Sequence, residues 1–192
     1  MIMFRTAKNN SNHPKLMEAG LFGEIAVLGM DRDAKNGRVH RVISKTEKTE
    51  NPKVAEYGLG MLFGKGKFGA MEDAAENSKI AGMKEYARAR LAGITVADVE
   101  RAAKNEELDV ATAVVYAKDR GAWMQGVDIL AKRCGGHSNF AGQCLQYVCL
   151  CSTDLEKAGY ALAKLPREYL GFVSENAALQ AIRERAASGQ KS

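Results

Sequence analysis

Two short apolar runs near the start of the chain are separated by a polar loop. Residues 24–30 read Glu-Ile-Ala-Val-Leu-Gly-Met and residues 38–44 read Arg-Val-His-Arg-Val-Ile-Ser. Both are of strand length, and the second is rich in β-branched side chains. The loop between them, 31–37, ends in Asn36-Gly37, a pair that readily takes the positive φ angles of a tight return. The pattern predicts a β-hairpin with a longer-than-minimal loop. Ahead of it, residues 1–20 are polar and irregular, and Asn9-Asn10-Ser11-Asn12-His13-Pro14 has the composition of a loop. Behind it, 45–57 is strongly polar and reads as a surface linker. Residues 58–69 then carry five glycines in twelve positions, which predicts a flexible joint, because glycine loses the most backbone freedom on ordering.

From about residue 71 the period changes to that of a helix. Ile80, Met83, Ala87 and Leu91 fall on one stripe, and Gly93 ends that element. Thr95 is placed to cap the next helix with Asp98 three residues on, and Val96, Val99 and Ala103 give its apolar face. Asp109 is a candidate cap for a helix through Val110, Val114 and Ala117 that stops at Gly121. Residues 122–133 continue as a helix around Trp123, Val127 and Leu130, broken by Gly135-Gly136. Ser138 opens a segment that holds all four cysteines but one, Cys134 lying just before it. Thr153-x-x-Glu156 reads as a capping box for 154–165, Pro166 forces a new start, and Ser174 is read as the cap of a last helix, 175–187.

Charge divides the chain in the same place. Among the first 70 residues, 12 lysines and arginines stand against seven carboxylates, whereas residues 71–192 carry 16 of each. The net charge of +5 therefore belongs to the front, where a local positive field attracts polyanions whatever fold lies beneath it. No window approaches 18 uninterrupted apolar residues, so no membrane span is expected. The N-terminus lacks the apolar core of a secretory signal. A cytoplasmic location is expected, with the cysteines as reduced thiols. At 192 residues the length allows one domain with an appended subdomain.

The glycine-rich segment, with Lys65 and Lys67, has exposed backbone N–H groups suited to phosphate. It is not a Walker A loop: Gly60 leaves three residues before Gly64, and Gly66 stands where a Ser or Thr should ligate Mg²⁺. Nor does Gly58-x-Gly60 continue as a dinucleotide fingerprint, because position 63 is Phe. Phe63 and Phe68 are candidates for contacting a partner, by stacking on bases or filling a groove. Cys134, His137, Cys144 and Cys149 form a conceivable zinc set. In one helix over 139–151, however, Cys149 and Cys151 point nearly opposite ways, and Leu145, Val148 and Leu150 make the run apolar. Core packing of the thiols explains the window better. Residues 95–120 have the length of a helix-turn-helix, but the second helix offers Val, Ala and Thr where a major-groove reader needs basic and amide side chains.

The segment Gly142-Gln143-Cys144-Leu145-Gln146-Tyr147-Val148 resembles the nucleophile segment of the CHAP family of cysteine amidases and peptidases. The resemblance covers seven residues and implies Cys144 as a thiol nucleophile served by a histidine base. In that family the histidine follows the cysteine; here His13, His40 and His137 all precede it.

These readings converge on an α+β chain, mainly α: a basic β-hairpin and glycine-rich joint over 1–70, then a neutral domain of about six short helices over 71–192. The expected function is non-enzymatic binding, with Arg32, Lys35, Arg38, Arg41, Lys65 and Lys67 contacting nucleic acid or a nucleoprotein assembly and no cofactor. One alternative is an inhibitor or adaptor, as from a phage or other mobile element, docking on a protein through the helical body. A second is a cysteine hydrolase using Cys144.

Overall fold

A computed structural model describes residues 20–136 and 138–190. These residues form twelve α-helices and one 3-10 turn, and there is no strand among them. The α+β expectation is therefore overturned: the front of the chain is helical too. Residues 1–19, including the loop read around Asn9 to Pro14, lie outside the described residues.

The expected β-hairpin is a helical hairpin of α1 (Gly20–Lys35) and α2 (Val39–Lys48). The reason lies in the burial period. Val27, Met30 and Ala34 are buried, at i, i+3 and i+7, whereas Ile25 is 55% exposed. Strand alternation puts Ile25 and Val27 on one face; helical spacing separates them. The return at Asn36-Gly37 is real, with Gly37 at φ 71°, but it ends a helix. The Arg38 N–H donates to the Asp33 carbonyl at 2.8 Å and the Gly37 N–H to the Ala34 carbonyl at 3.2 Å. Those are the two bonds of a Schellman motif, which satisfies the last carbonyls of α1.

The supposed linker and joint are helical as well. Asn51 Oδ1 accepts from the N–H of Lys53 at 3.0 Å and of Val54 at 3.4 Å. Pro52 then opens α3 (Pro52–Gly64), where its missing N–H costs nothing. Gly58, Gly60 and Gly64 thus lie inside a helix rather than a flexible joint. Gly58 has a packing reason: a Cβ there would lie 2.0 Å from Thr46 Oγ1. The buried Thr46 hydroxyl donates to the Val42 carbonyl at 2.8 Å, so α2 and α3 meet with almost nothing between them. Val27, Met30 and Val54, with Ala26, Tyr57 and Met61 packed against them, form the core beneath.

The chain divides into two compact units, one of 1–64 with 70–87, the other of 65–69 with 88–192. Gly66, at φ 70°, turns the chain into α4 (Phe68–Glu76), and Gly82, at φ 86°, precedes α5 (Met83–Leu91). The single stripe expected over Ile80 to Leu91 therefore starts only at Met83.

In the second unit, α6 (Val96–Ala102), α7 (Glu107–Tyr116), α8 (Arg120–Gly135) and α9 (Asn139–Cys151) build the core. All six residues 109–114 of α7 are buried, as befits a helix covered on several sides. Gly126 admits α7 closely, since a Cβ would stand 2.3 Å from Val114 Cγ2. Thr95 and Asp98 meet as expected: the Thr95 N–H and hydroxyl both donate to Asp98 Oδ2, at 3.0 and 2.7 Å. Ser138 accepts from the Ala141 N–H at 3.2 Å and opens α9. Asp154, rather than Thr153, caps α10 (Leu155–Leu162). A 3-10 turn (Arg167–Tyr169) leads to α11 (Leu170–Asn176), and α12 (Gln180–Gln190) follows. Ser174 lies within α11 and donates to the Gly171 carbonyl at 2.7 Å instead of capping the last helix.

One charged group in this core was not foreseen. Lys157 is 4% exposed, and its ammonium donates to the carbonyls of Val115 at 3.0 Å and Ala117 at 2.7 Å. It caps the C-terminal end of α7, where the helix dipole favours a cation. Burial holds its pKa below the usual lysine range, with Asp154 acting the other way.

Candidate functional site

The positive charge of the first unit gathers on the α1–α2 turn. Arg32 and Lys35 occupy the last turn of α1. Arg38 is the N-cap residue of α2, and Arg41 follows within its first turn. All four are exposed, as are Asn36 and His40. The Schellman bonds fix the backbone that carries them, and Lys35 and Arg32 also complement the negative end of α1.

Two carboxylates lie among these cations, and both are engaged. Asp33 is only 6% exposed. It accepts from Lys45 Nζ at 2.7 Å and lies 3.9 Å from the Arg41 guanidinium. Lys45 reaches it across Gly29, where a Cβ would come within 2.9 Å of the ammonium. The Lys45 hydrogen bond, opposed by burial and reinforced by the charges of Lys45, Arg41 and Arg38, holds the Asp33 carboxyl below its ordinary range. Asp31 accepts from the Tyr57 hydroxyl at 2.7 Å, and burial followed by that bond raises the Tyr57 phenol. Arg32, Lys35 and Arg38 make no ion pair with any described residue. A shallow cavity of about 440 Å³ lies beside them, bounded by Leu28, Asp31, Arg32, Lys35 and Asn36.

Lys65 and Lys67 belong to the other unit. Lys67 is held between carboxylates, 3.3 Å from Glu106 and 3.4 Å from Asp109. Lys65 is exposed, and its carbonyl accepts from Asn105 Nδ2 at 3.0 Å. Asp109 is not the cap of α7, whose N-cap residue is Glu106. Its carboxylate accepts the Gly69 N–H at 3.1 Å, in the first turn of α4. The expected six-residue set is thus divided, four on one turn and two elsewhere. Phe63 is half-buried, and Phe68 is 0% exposed. Phe68 fills the core and presents no ring to a partner.

The cysteine window is core at two of its four thiols. Cys144 and Cys149 are buried, Cys134 is half-buried and Cys151 exposed. Burial, with Glu107 adding to it, pushes the Cys144 thiol up to about 12. Burial likewise takes Cys149 to about 12. A thiol so held supplies almost no thiolate at neutral pH, and thiolate is what attacks a carbonyl. Where the resemblance to the CHAP family put a nucleophile at Cys144, a packed side chain sits. Gly142, in the same segment, makes room for the Tyr169 ring, which would lie 2.5 Å from a Cβ there. His137 lies outside the described residues, and among those described no group of three or more His, Cys, Asp or Glu is arranged to hold a metal ion.

No protein-family model, no curated protein and no solved structure matches this chain. Among the described residues no helix is long and apolar enough to cross a membrane.

The framework role of Asp33 and Lys45 was missed by sequence reasoning. Its signal was present: Asp33 precedes the buried Ala34 on α1 and stands 12 residues before Lys45, so a turn that folds the chain back brings the two together.

Proposed function

We propose that the protein binds nucleic acid through the turn between α1 and α2, with Arg32, Lys35, Arg38 and Arg41 neutralising backbone phosphates. The reading is carried by one observation. Four exposed cationic side chains stand within residues 32–41 on a rigid helical turn, while the carboxylates beside them are engaged by Tyr57, Lys45 and Arg41. With the backbone held, only side-chain freedom is left to lose on meeting a polyanion. Arg presents a planar fork suited to phosphate, and Lys a compact charge.

The test is a gel-shift titration of the full chain against mixed-sequence nucleic acid, with the triple variant Arg32→Gln, Lys35→Gln, Arg38→Gln as comparison. These three positions are exposed, and none holds an ion pair within the unit, so the variant keeps its helical circular dichroism. Affinity at low salt is expected to fall at least tenfold. Equal affinity of the variant and the parent chain overturns the proposal.

A further inference from the structure

Resting on that reading, we infer that the ligand is double-stranded nucleic acid, held by its phosphate backbone with little reading of bases. Proteins that grip single strands combine cationic grooves with aromatic side chains on which successive bases stack. The turn offers one exposed ring, His40, and no row of them. Residues 23–56, which hold the whole α1–α2 hairpin apart from the start of α1, contain no Phe, Tyr or Trp. The next aromatic, Tyr57, packs against the core of Val27, Met30 and Val54 and spends its hydroxyl on Asp31. With the arginines spent on phosphates in that reading, base reading is equally thin. Asn36 is the only Asn or Gln in residues 23–50, and one amide addresses at most one base pair.

A duplex supplies what this turn lacks the means to impose. Its phosphates are already arrayed on a stiff surface, one charge per ~1.7 Å of helix axis. The backbone carrying the cations is pre-set as well. The Schellman bond from the Arg38 N–H to the Asp33 carbonyl fixes the backbone at the turn, and the Asp33 carboxylate draws in Arg41 and Lys45. Arg32 and Lys35, three apart on α1, are neighbours on one helix face, as are Arg38 and Arg41 where α2 begins. A rigid phosphate array meets a fixed backbone, and only the cationic side chains have to be ordered. A flexible single strand has to be ordered first, with little stacking to offset the loss.

The experiment is fluorescence anisotropy of the full chain with four probes: two 20-base-pair duplexes of unrelated sequence, one of their single strands, and a duplex challenged with phosphatidylserine vesicles at equal charge concentration. Four phosphate contacts predict a slope of log K on log salt of about −3 to −4. Expected are equal affinities for the two duplexes and at least tenfold weaker binding of the single strand. Single-strand binding as tight as duplex binding overturns this inference and leaves the nucleic-acid reading standing. A tenfold preference between the duplexes overturns backbone-only contact. Displacement by the vesicles overturns the choice of duplex as the ligand, and no binding of any probe overturns both readings.

Discussion

Two buried aspartates, each beside a lysine, behave oppositely in the two units. Asp33 is 6% exposed and Asp109 is 4% exposed. The Asp33 carboxyl is held below its ordinary value, the Lys45 hydrogen bond being the largest cause. The Asp109 carboxyl is held above it, burial outweighing the Gly69 N–H and Lys67. Burial is the largest influence on Asp109 and the lysine hydrogen bond the largest on Asp33, and the lysine distances run the same way. Lys45 touches Asp33 at 2.7 Å, with Arg41 and Arg38 adding their fields. Lys67 stands 3.4 Å from Asp109 and is shared with Glu106, whose own charge raises the Asp109 value. In the first unit one carboxylate serves several cations and leaves a positive surface. In the second, two carboxylates hold one lysine and leave none. The ratio of acids to bases around a buried site, more than the total charge of a segment, decides where a protein's field emerges.

The largest effects should come from the close approaches that set these surroundings. Gly58→Ala forces a Cβ to within 2.0 Å of Thr46 Oγ1, with Thr46 Cβ behind it at 3.1 Å. The buried threonine has nowhere to go, so α2 and α3 must separate. A loss of about 1–3 kcal/mol is expected, read as a lower urea midpoint by far-ultraviolet circular dichroism. Gly142→Ala is the contrast. Its clash, 2.5 Å from the Tyr169 ring, is with a half-buried side chain whose hydroxyl bond to the Asn139 carbonyl is exposed. The ring can swing outward, and the cost should stay below about 1 kcal/mol. Equal losses for the two variants mean that rigidity of the neighbour does not govern the outcome.

The aspartates themselves should respond to acid in opposite directions. A lowered folded-state value gives stability that is present above the unfolded value, near 3.8 for Asp33, and lost as pH falls through the folded one. A raised value works the other way: Asp109 favours folding once protonated, and that contribution fades as pH rises through its folded value. The stability gap between the parent chain and Asp33→Asn should therefore narrow on acidification below about pH 4. The gap for Asp109→Asn should shift in the parent's favour between neutral pH and about pH 4. Urea titrations at a series of pH values decide it. Parallel behaviour of the two variants removes the comparison.

Where the sequence could be read, local chemistry was strong. The Thr95–Asp98 cap, the Ser138 start, the positive φ at Gly37 and the burial of Cys144 and Cys149 all follow from short-range signals. The strand error came from length. A seven-residue stretch with apolar positions suits a strand or one face of a helix, and Asn-Gly serves a hairpin turn or a helix end equally well. The arbiter was spacing across a longer window, Val27–Met30–Ala34 and Val42–Thr46, which the polar residues between them masked. Asn51-Pro52 marked the start of α3, but the glycines after it drew attention to flexibility, although Gly58 is there for close packing. The cationic cluster was partly legible. Arg32 to Arg41 are near neighbours in sequence, so any return of the chain groups them. Lys67 was not legible, because its partners Glu106 and Asp109 lie 39 and 42 residues away, beyond what local reading reaches.

The smallest expected effect is the most direct probe of which unit carries the field. Lys67→Ala removes a cation already held by Glu106 and Asp109, so duplex affinity should change less than twofold and the salt slope should stay fixed. Asp33→Asn removes a carboxylate that engages Lys45 and draws in Arg41. Lys45 is then free to reach a phosphate, and each added contact steepens the slope of log K on log salt by about 0.9. The two variants alter net charge in opposite senses by one unit. If total charge governed binding, their slopes would move by equal amounts in opposite directions. If the local arrangement governs it, only Asp33→Asn moves, and anisotropy titrations at three salt concentrations separate the two outcomes.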